Sequence, residues 1–417
     1  MGAFSHIPDL WLDVTRLLTR VGRGALTGID RVELAYLREA YASGCNRYLC
    51  RTTRGYLLLD RRGAARLIGM VEGASPMGPA DWFSRITFRG NRPRHKAEAA
   101  LREVAIDRCR PSTLPNLLDR ATEAGLTYLN VGHSNLSEAT LSAISARSDT
   151  RIAVMIHDLI PITHPQYVAD GQPENFAGRA ERVRTHATHV ISNSQATSDS
   201  LDRHWADKAA PPHRIVAHLG VDGTPRGSRQ ARDPSLFVML GTIEARKNHA
   251  LILDVWDLLA EELPPGDMPL LHIIGAVGWK VDTFMERLNS HPLMEQKIIL
   301  NGPDGLLSDS AVRDQLAKAA ALLFPSVTEG FGYPPIEAAM AGAVPICSDL
   351  PVYRETLGDC AVYVDSGDAY QWKETIKQCL NGTGVMPDLT QLKVPTWQEH
   401  FETVVDALTS TLSRTRK

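Results

Sequence analysis

Short apolar runs alternate with amphipathic stretches over most of the chain. Residues 10–13, 56–59, 128–131, 152–156 and 189–192 have the length and apolar content of buried strands. Between them, 30–42 and 181–188 carry apolar residues at helical spacing, and 215–220 reads as the last strand of this series. A polar stretch containing Gly and Arg, 224–234, then breaks the pattern as a linker does. A second series follows, with strands at 236–240, 270–274, 297–300 and 321–324 and helices at 249–262, 281–289 and 310–319. Strands alternating with helices predict parallel sheets covered on both faces. The expected fold class is therefore α/β, with two doubly wound Rossmann-like domains. Their boundaries fall at 1–225, a linker at 226–235, a second domain at 236–395 and a terminal segment at 396–417. In that last segment Phe401, Val404, Val405, Leu408 and Leu412 make one apolar stripe, which predicts an amphipathic helix free to cross back to the first domain.

Composition removes several classes of function. With 417 residues and 43% of them hydrophobic, the chain can bury real cores, so disorder is excluded as its main state. No apolar run approaches the roughly 18 to 20 residues of a membrane span, and Met1 to Leu12 lacks a basic stretch followed by a long apolar one. The six cysteines form no C-x-x-C pair. A cytoplasmic protein with reduced thiols is expected. The net charge of -3 hides an asymmetry: residues 1–230 hold 30 Lys and Arg against 23 Asp and Glu, and residues 231–417 reverse the balance with 15 against 25. Much of the excess lies between Arg85 and Arg110, including Arg89, Arg92, Arg94, Lys96, Arg102 and Arg108. Such a stretch is either a solvated face or a contact for an anionic membrane surface. Nucleic acid is not expected, because the stretch has few aromatics for stacking and no recognition motif.

The richest chemistry lies in Phe324-Pro-Ser-Val-Thr-Glu-Gly-Phe-Gly-Tyr-Pro-Pro-Ile-Glu-Ala-Ala-Met-Ala-Gly. It runs from a strand end through a glycine loop into a short helix, with Pro334 and Pro335 suited to the first turn and Gly342 to the C-cap. A helix N-terminus above a strand edge is how α/β proteins hold phosphates. Glu329 in the loop and Glu337 in the helix can line the same crevice and accept hydrogen bonds from hydroxyls. A second element, Gly241-Thr-Ile-Glu-Ala-Arg-Lys-Asn-His249, brings Arg246 and Lys247 to the end of another strand. Two cations there can neutralise a leaving diphosphate. In the first half, His157 and Asp158 follow the strand 152–156, and His133 follows 128–131. The loop Gly22-x-Gly24-x-x-x-Gly28 is one residue too long for a dinucleotide fingerprint and lacks the Gly-Lys-Ser/Thr of a P-loop. Asp30-x-x-Glu33 is expected to open the following helix as a capping box.

The Glu329-x7-Glu337 pattern, followed by Ala343-Val-Pro-Ile-Cys-Ser-Asp and Arg354-Glu355, resembles the donor site of the large family-four group of retaining GT-B glycosyltransferases. The likeness is strong from Phe237 to Gly367 and weaker in the first half. It implies that Glu337 binds the ribose hydroxyls of a nucleotide sugar, and that Glu329 lies near the donor sugar. It further implies that the backbone of Gly330, Phe331, Gly332 and Tyr333 contacts sugar or diphosphate, and that Lys247 faces the diphosphate. Many relatives carry an arginine where this chain has Thr242, so Arg246 is the expected substitute. His157 would sit beside the donor sugar and the acceptor, with His133 and Asp158 on the acceptor side and Gly28 beside the diphosphate. Thr27-Gly28-Ile29-Asp30-Arg31-Val32 looks most like bacterial surface-polysaccharide enzymes.

The resemblance therefore implies a retaining hexosyltransferase with its site in the interdomain cleft, acting by front-face attack. The donor would be a nucleotide diphosphate sugar of the GDP-mannose type, and the acceptor a lipid-linked glycan. No Asp-x-Asp occurs, so no resident cofactor and no divalent metal are expected. Two other functions fit the same residues: a nucleotide-sugar epimerase or hydrolase, and a sugar-nucleotide-binding protein without turnover.

Overall fold

A computed structural model describes residues 2–24, 26–75, 92–123, 125–208, 211–223, 232–302 and 307–414. The first half forms one sheet from β1 (Leu10–Asp13), β2 (Arg47–Thr52), β3 (Gly55–Leu59), β4 (Asp107–Cys109), β5 (Thr127–Asn130), β6 (Arg151–Ile156), β7 (His189–Ser192) and β8 (His213–Val216). Its order is β4-β3-β2-β1-β5-β6-β7-β8. The second sheet contains β9 (Asp233–Leu240), β10 (Leu270–Ile274), β11 (Ile298–Asn301), β12 (Ala319–Phe324), β13 (Val344–Ser348) and β14 (Val362–Val364), in the order β11-β10-β9-β12-β13-β14. Chain order reverses between β1 and β5 in one sheet and between β9 and β12 in the other. Those reversals open crevices at the C-terminal strand ends, where α/β proteins bind ligands. The loops carrying His133, His157, Lys247 and Glu329 all leave such ends.

Several elements differ from the sequence reading. β3 and β4 run antiparallel along one edge of the first sheet, because β2 and β3 are joined by a tight turn with Gly55 at φ 134°. A crossover helix could not fit in that turn. The capping box lies three residues upstream of Asp30-x-x-Glu33: Thr27 is the N-cap of helix Gly28–Ala42, and its backbone N–H donates to the Asp30 carboxylate at 2.8 Å. Glu33 instead turns inward and accepts from the Leu17 N–H at 3.1 Å. The helix expected at 181–188 runs from Gln172 to His186, started by a left-handed Gly171 and a proline in the first turn. β8 ends at Val216, because its partner β7 ends at Ser192. Most of the expected linker, 224–231, lies outside the described residues, as do 76–91, which include residues 85–91 of the basic segment; β9 begins at Asp233, inside the range 226–235.

One apolar layer covers a face of the first sheet and continues into the second domain, another covers the first sheet's other face and buries Trp11 and Tyr128, and a third lies within the second domain and buries Trp256. The terminal helix Trp397–Arg414 packs on the first domain. Phe401 stacks edge-on with Phe4 and Tyr36, and His400 meets the Tyr36 hydroxyl at 2.6 Å. A Cβ on Gly220 would stand 2.3 Å from the Trp397 backbone, so glycine is required where the helix crosses. Among the described residues, no helix is long and apolar enough to cross a membrane.

Candidate active site

β9 ends at a left-handed Gly241 (φ 129°), and a short 3-10 turn, Ala245–Lys247, carries the two cations. Val327 N–H donates to the Arg246 carbonyl at 2.8 Å, which ties this turn to the loop after β12. The side chains then form one buried charge cluster. Arg246 pairs with Glu329 at 2.7 Å and with Glu244 at 2.6 Å, and also donates to the Thr328 carbonyl at 3.1 Å. The Lys247 ammonium donates to the same Glu329 oxygen and lies 4.3 Å above the centre of the Phe324 ring. Burial alone would raise the Glu329 pKa, but Arg246 and Lys247 outweigh it and hold the carboxyl at about 2. Burial lowers the Lys247 pKa while Glu329 opposes it, and the Arg246 pKa is raised because Glu329 and Glu244 overcome its desolvation. The cations expected to wait for a diphosphate are thus already balanced by carboxylates.

The opposite wall belongs to the first domain. A Cβ on Gly330 would stand 2.3 Å from the His157 carbonyl oxygen and 3.0 Å from the Asp158 Cβ. Glycine at 330 therefore lets the two domains touch here. The Gly330 carbonyl accepts from the Ser194 hydroxyl at 2.9 Å, and Glu355 accepts from the backbone N–H groups of Gln195 and Ala196 at 2.6 and 3.1 Å. His218 completes this clasp, 2.6 Å from Glu355. Asp158 accepts from the Ile160 N–H at 3.0 Å; burial raises its pKa and Arg246, across the cleft, lowers it. His157 is buried, with Nε2 2.8 Å from the Val131 carbonyl. That contact fixes the proton on Nε2 and leaves Nδ1 as an acceptor. Burial pushes the imidazole down to about 4, so it is neutral at pH 7. His133, left-handed at φ 59°, packs 4.9 Å from the His157 ring, and its Nε2 accepts from the His157 N–H at 3.4 Å.

A second group lies beside the helix Tyr333–Ala341. Its N-cap, Gly332, is left-handed, and a Cβ there would strike the Tyr353 ring at 2.6 Å. Pro334 and Pro335 remove two of the N–H groups that the sequence reading assigned to a phosphate. Glu337 faces Arg31 from the first domain at 3.4 Å, and Arg31 also reaches Asp309 at 3.2 Å. Burial raises the Glu337 pKa and Arg31 opposes it. The Tyr333 hydroxyl is buried without a hydrogen-bond partner among the described residues. Phe331 is a core residue, packed near His218 and Tyr333. Gly28 opens helix Gly28–Ala42, and nothing lies within 4 Å of a Cβ placed on it.

The structure thus brings Arg246, Lys247, Glu329, His157 and Asp158 together, with Gly330 as the contact point. Glu337 and Tyr333 join Arg31, a residue to which the sequence reading gave no role. Glu244, Glu355 and Ser194 were also missed. Glu244 pairs with Arg246 only two residues on, within the quoted motif; the cross-domain partners of Glu355 and Ser194 lie far off in sequence, and the Ser194-x-x-Thr197 spacing carried a signal only as a local helix cap.

Residues 224–391 match the family described as glycosyl transferases group 1. The serotype-specific mannosyltransferase WbdA of Escherichia coli is 32% identical over 235 residues, a match taking in 52% of this chain and 28% of that protein. The chain therefore spans under a third of the length of this curated relative. Sucrose-phosphate synthase from Thermosynechococcus elongatus superposes with a TM-score of 0.58 at 13% identity over 98% of both chains. Anabaena HepE in complex with UDP and glucose gives 0.55 at 14% identity over 98% of this chain and 99% of that one. The second domain thus resembles the glycosyl transferases group 1, and the chain as a whole has the two-domain GT-B fold of these structures.

Proposed function

We propose that this chain is a retaining, metal-independent glycosyltransferase that moves a hexose, mannose by its likeness to WbdA, from a nucleotide diphosphate sugar to a glycan acceptor. The observation that carries this reading is the facing of two walls. Arg246 and Lys247 lie beside Glu329 on one domain, and His157 and Asp158 meet the same loop from the other. A diphosphate leaving group develops charge as its glycosidic bond breaks, and two buried cations stabilise that charge better than water does. His157 Nδ1 can accept a hydrogen bond from a sugar hydroxyl but, neutral and already donating through Nε2, it cannot act as the acid. The acceptor oxygen attacks the anomeric carbon on the face from which the diphosphate departs. Its proton passes to a phosphate oxygen of the leaving group, and the configuration is retained.

Glu337 is assigned to the ribose hydroxyls, with the unpartnered Tyr333 hydroxyl beside it. Glu337→Ala is expected to weaken nucleotide diphosphate binding by about 1.5 to 3 kcal/mol, the range for hydrogen bonds to a charged group. Because that bond contributes alike to ground and transition states, the loss should appear in KM. Titration of wild type and variant with GDP and UDP measures it, and equal affinity in a folded variant would remove the assignment. Product analysis without acceptor separates transfer from hydrolysis or epimerisation.

The acceptor is proposed to be lipid-linked and presented at an anionic membrane face, in surface-polysaccharide synthesis such as that of O-antigen. Of the basic segment, Arg94 and Arg102 both lean on Glu98 within helix Arg92–Val104, which leaves less charge for a surface than the sequence suggests. Binding to anionic vesicles that falls steeply with salt is the expected result. Indifference to vesicle charge would sink the membrane contact alone.

A further inference from the structure

Half-buried arginines of the first domain mostly find carboxylates. Arg147 pairs with Asp119 and Asp149, Arg214 with Asp202, and Arg16 with Asp30. Arg51, Arg179 and Arg182 are exceptions: each is partly buried, and none forms an ion pair among the described residues. Arg182 reaches the loop 132–136, at the C-terminal end of β5, directly, and Arg51 and Arg179 approach it through the Tyr56 and Phe176 rings. Arg182 donates to the Leu136 carbonyl at 2.9 Å. Arg51 donates to the Tyr56 hydroxyl at 2.7 Å, which in turn lies 3.3 Å from the Asn135 amide oxygen. Arg179 lies over the Phe176 ring, which packs 5.9 Å from His133. Glu33 and Arg16 back the loop from behind: a Cβ on Gly132 would stand 1.8 Å from a Glu33 carboxylate oxygen and 2.9 Å from the Arg16 Cβ.

Arg179 and Arg182 stand one turn apart on helix Gln172–His186, with no carboxylate paired to either among the described residues, and a bound anion would relieve their mutual repulsion. Burial lowers the Arg179 pKa, and Arg182 and Arg16 lower it further. Of the acids around the loop, Glu138 is engaged with His186 at 2.9 Å and feels Arg182 only at longer range, while Asp13 accepts from the Asn135 amide at 2.8 Å and from the Tyr128 hydroxyl at 2.8 Å. The loop touches His157 through His133, so a group held here lies beside the reacting centre, on the wall opposite Lys247 and Arg246.

We propose that Arg179, Arg182 and Arg51 form an anion subsite that takes a phosphoryl or carboxylate group of the acceptor, close to its reacting hydroxyl. Planar guanidinium forks match both oxyanions. This inference rests on the transferase reading for the word acceptor; the anion site itself does not.

The test fills the donor site first. Wild type saturated with GDP or UDP, whichever stabilises it, is titrated with inorganic phosphate and separately with methyl glucuronoside. Saturable binding of at least one is expected, weakened at least tenfold in Arg179→Gln and in Arg182→Gln, with nucleotide affinity changed less than twofold. Phosphate alone points to a phosphoryl acceptor, the glucuronoside alone to an acidic sugar, and both to an unselective anion site. No saturable binding in wild type, or unchanged binding in both folded variants, overturns the proposal. If no nucleoside diphosphate binds while anion binding still depends on Arg179, the transferase reading fails and the anion site stands.

Discussion

Lys247→Ala is expected to slow sugar transfer by about 10²- to 10³-fold, some 3 to 4 kcal/mol in the activation barrier, in a chain that still folds. In the wild type, Glu329 holds two cations, Arg246 and Lys247, and Glu244 is balanced by Arg246. Removing the lysine leaves Arg246 shared between Glu329 and Glu244, so each carboxylate keeps a guanidinium contact while the cluster gains one net negative charge. What is lost is the second positive charge at the place where a departing diphosphate would develop its own. Lys247→Arg is not expected to restore the rate. The ammonium fits between the Phe324 ring and Gly241, whose absent Cβ would lie 3.9 Å from Nζ, and a flat fork is larger than that space. The measurement is the transfer rate with excess chelator, for wild type and variant in parallel. Wild-type activity should persist. Loss on chelation, restored by Mg²⁺ or Mn²⁺, would overturn the metal-free mechanism, and a near-normal rate in the variant would remove Lys247 from it.

Acidification is expected to release the terminal helix Trp397–Arg414 from the first domain before either sheet unfolds. His400 is its buried polar anchor. Nδ1 lies 2.9 Å from the His218 carbonyl and therefore carries the proton, and Nε2 accepts from the Tyr36 hydroxyl at 2.6 Å. Burial lowers the pKa of this imidazole to about 4, partly offset by the carbonyls of His218 and Ala217. Released, it would return to about 6.5. Between those values the released helix binds one more proton than the docked one, so docking weakens as pH falls, by up to ~1.4 kcal/mol per pH unit. The full effect, roughly 3 kcal/mol, is reached near pH 4, and above pH 7 the term vanishes. Hydrogen exchange of the helix amides, corrected for intrinsic rates, should lose protection about tenfold per unit between pH 6 and 4.5. His400→Gln should be less protected at pH 7 and flat across the same window. An equal slope in both would assign the pH dependence to other groups.

The donor-side residues were legible because their chemistry is local. Glu329, the glycine loop and Glu337 occupy one strand-loop-helix unit, and Arg246 and Lys247 occupy another. In each, spacing and residue type already place the groups at a strand end. The first domain was less legible. The antiparallel edge strands were hidden by the tight turn at Gly55, and the capping residue Thr27 was passed over for Asp30, three residues on. The resemblance implied a ligand contact for the Gly330 backbone, and the structure adds its close approach to the His157 carbonyl, which no local pattern encodes.

The sequence by itself determined the α/β alternation, the two series of strands and the residues at the donor-side strand ends, because hydrophobic period and turn chemistry act over a few residues. Only the tertiary structure decided that Lys247 and Arg246 are neutralised by Glu329 and Glu244. The same holds for Arg31 crossing the cleft to Glu337, for Glu355 capping a helix of the other domain, and for Arg179 and Arg182, near the 132–136 loop, forming no ion pair among the described residues. Each of these depends on which distant groups share a low-dielectric space, and charge balance in such a space is set by proximity in three dimensions and not along the chain.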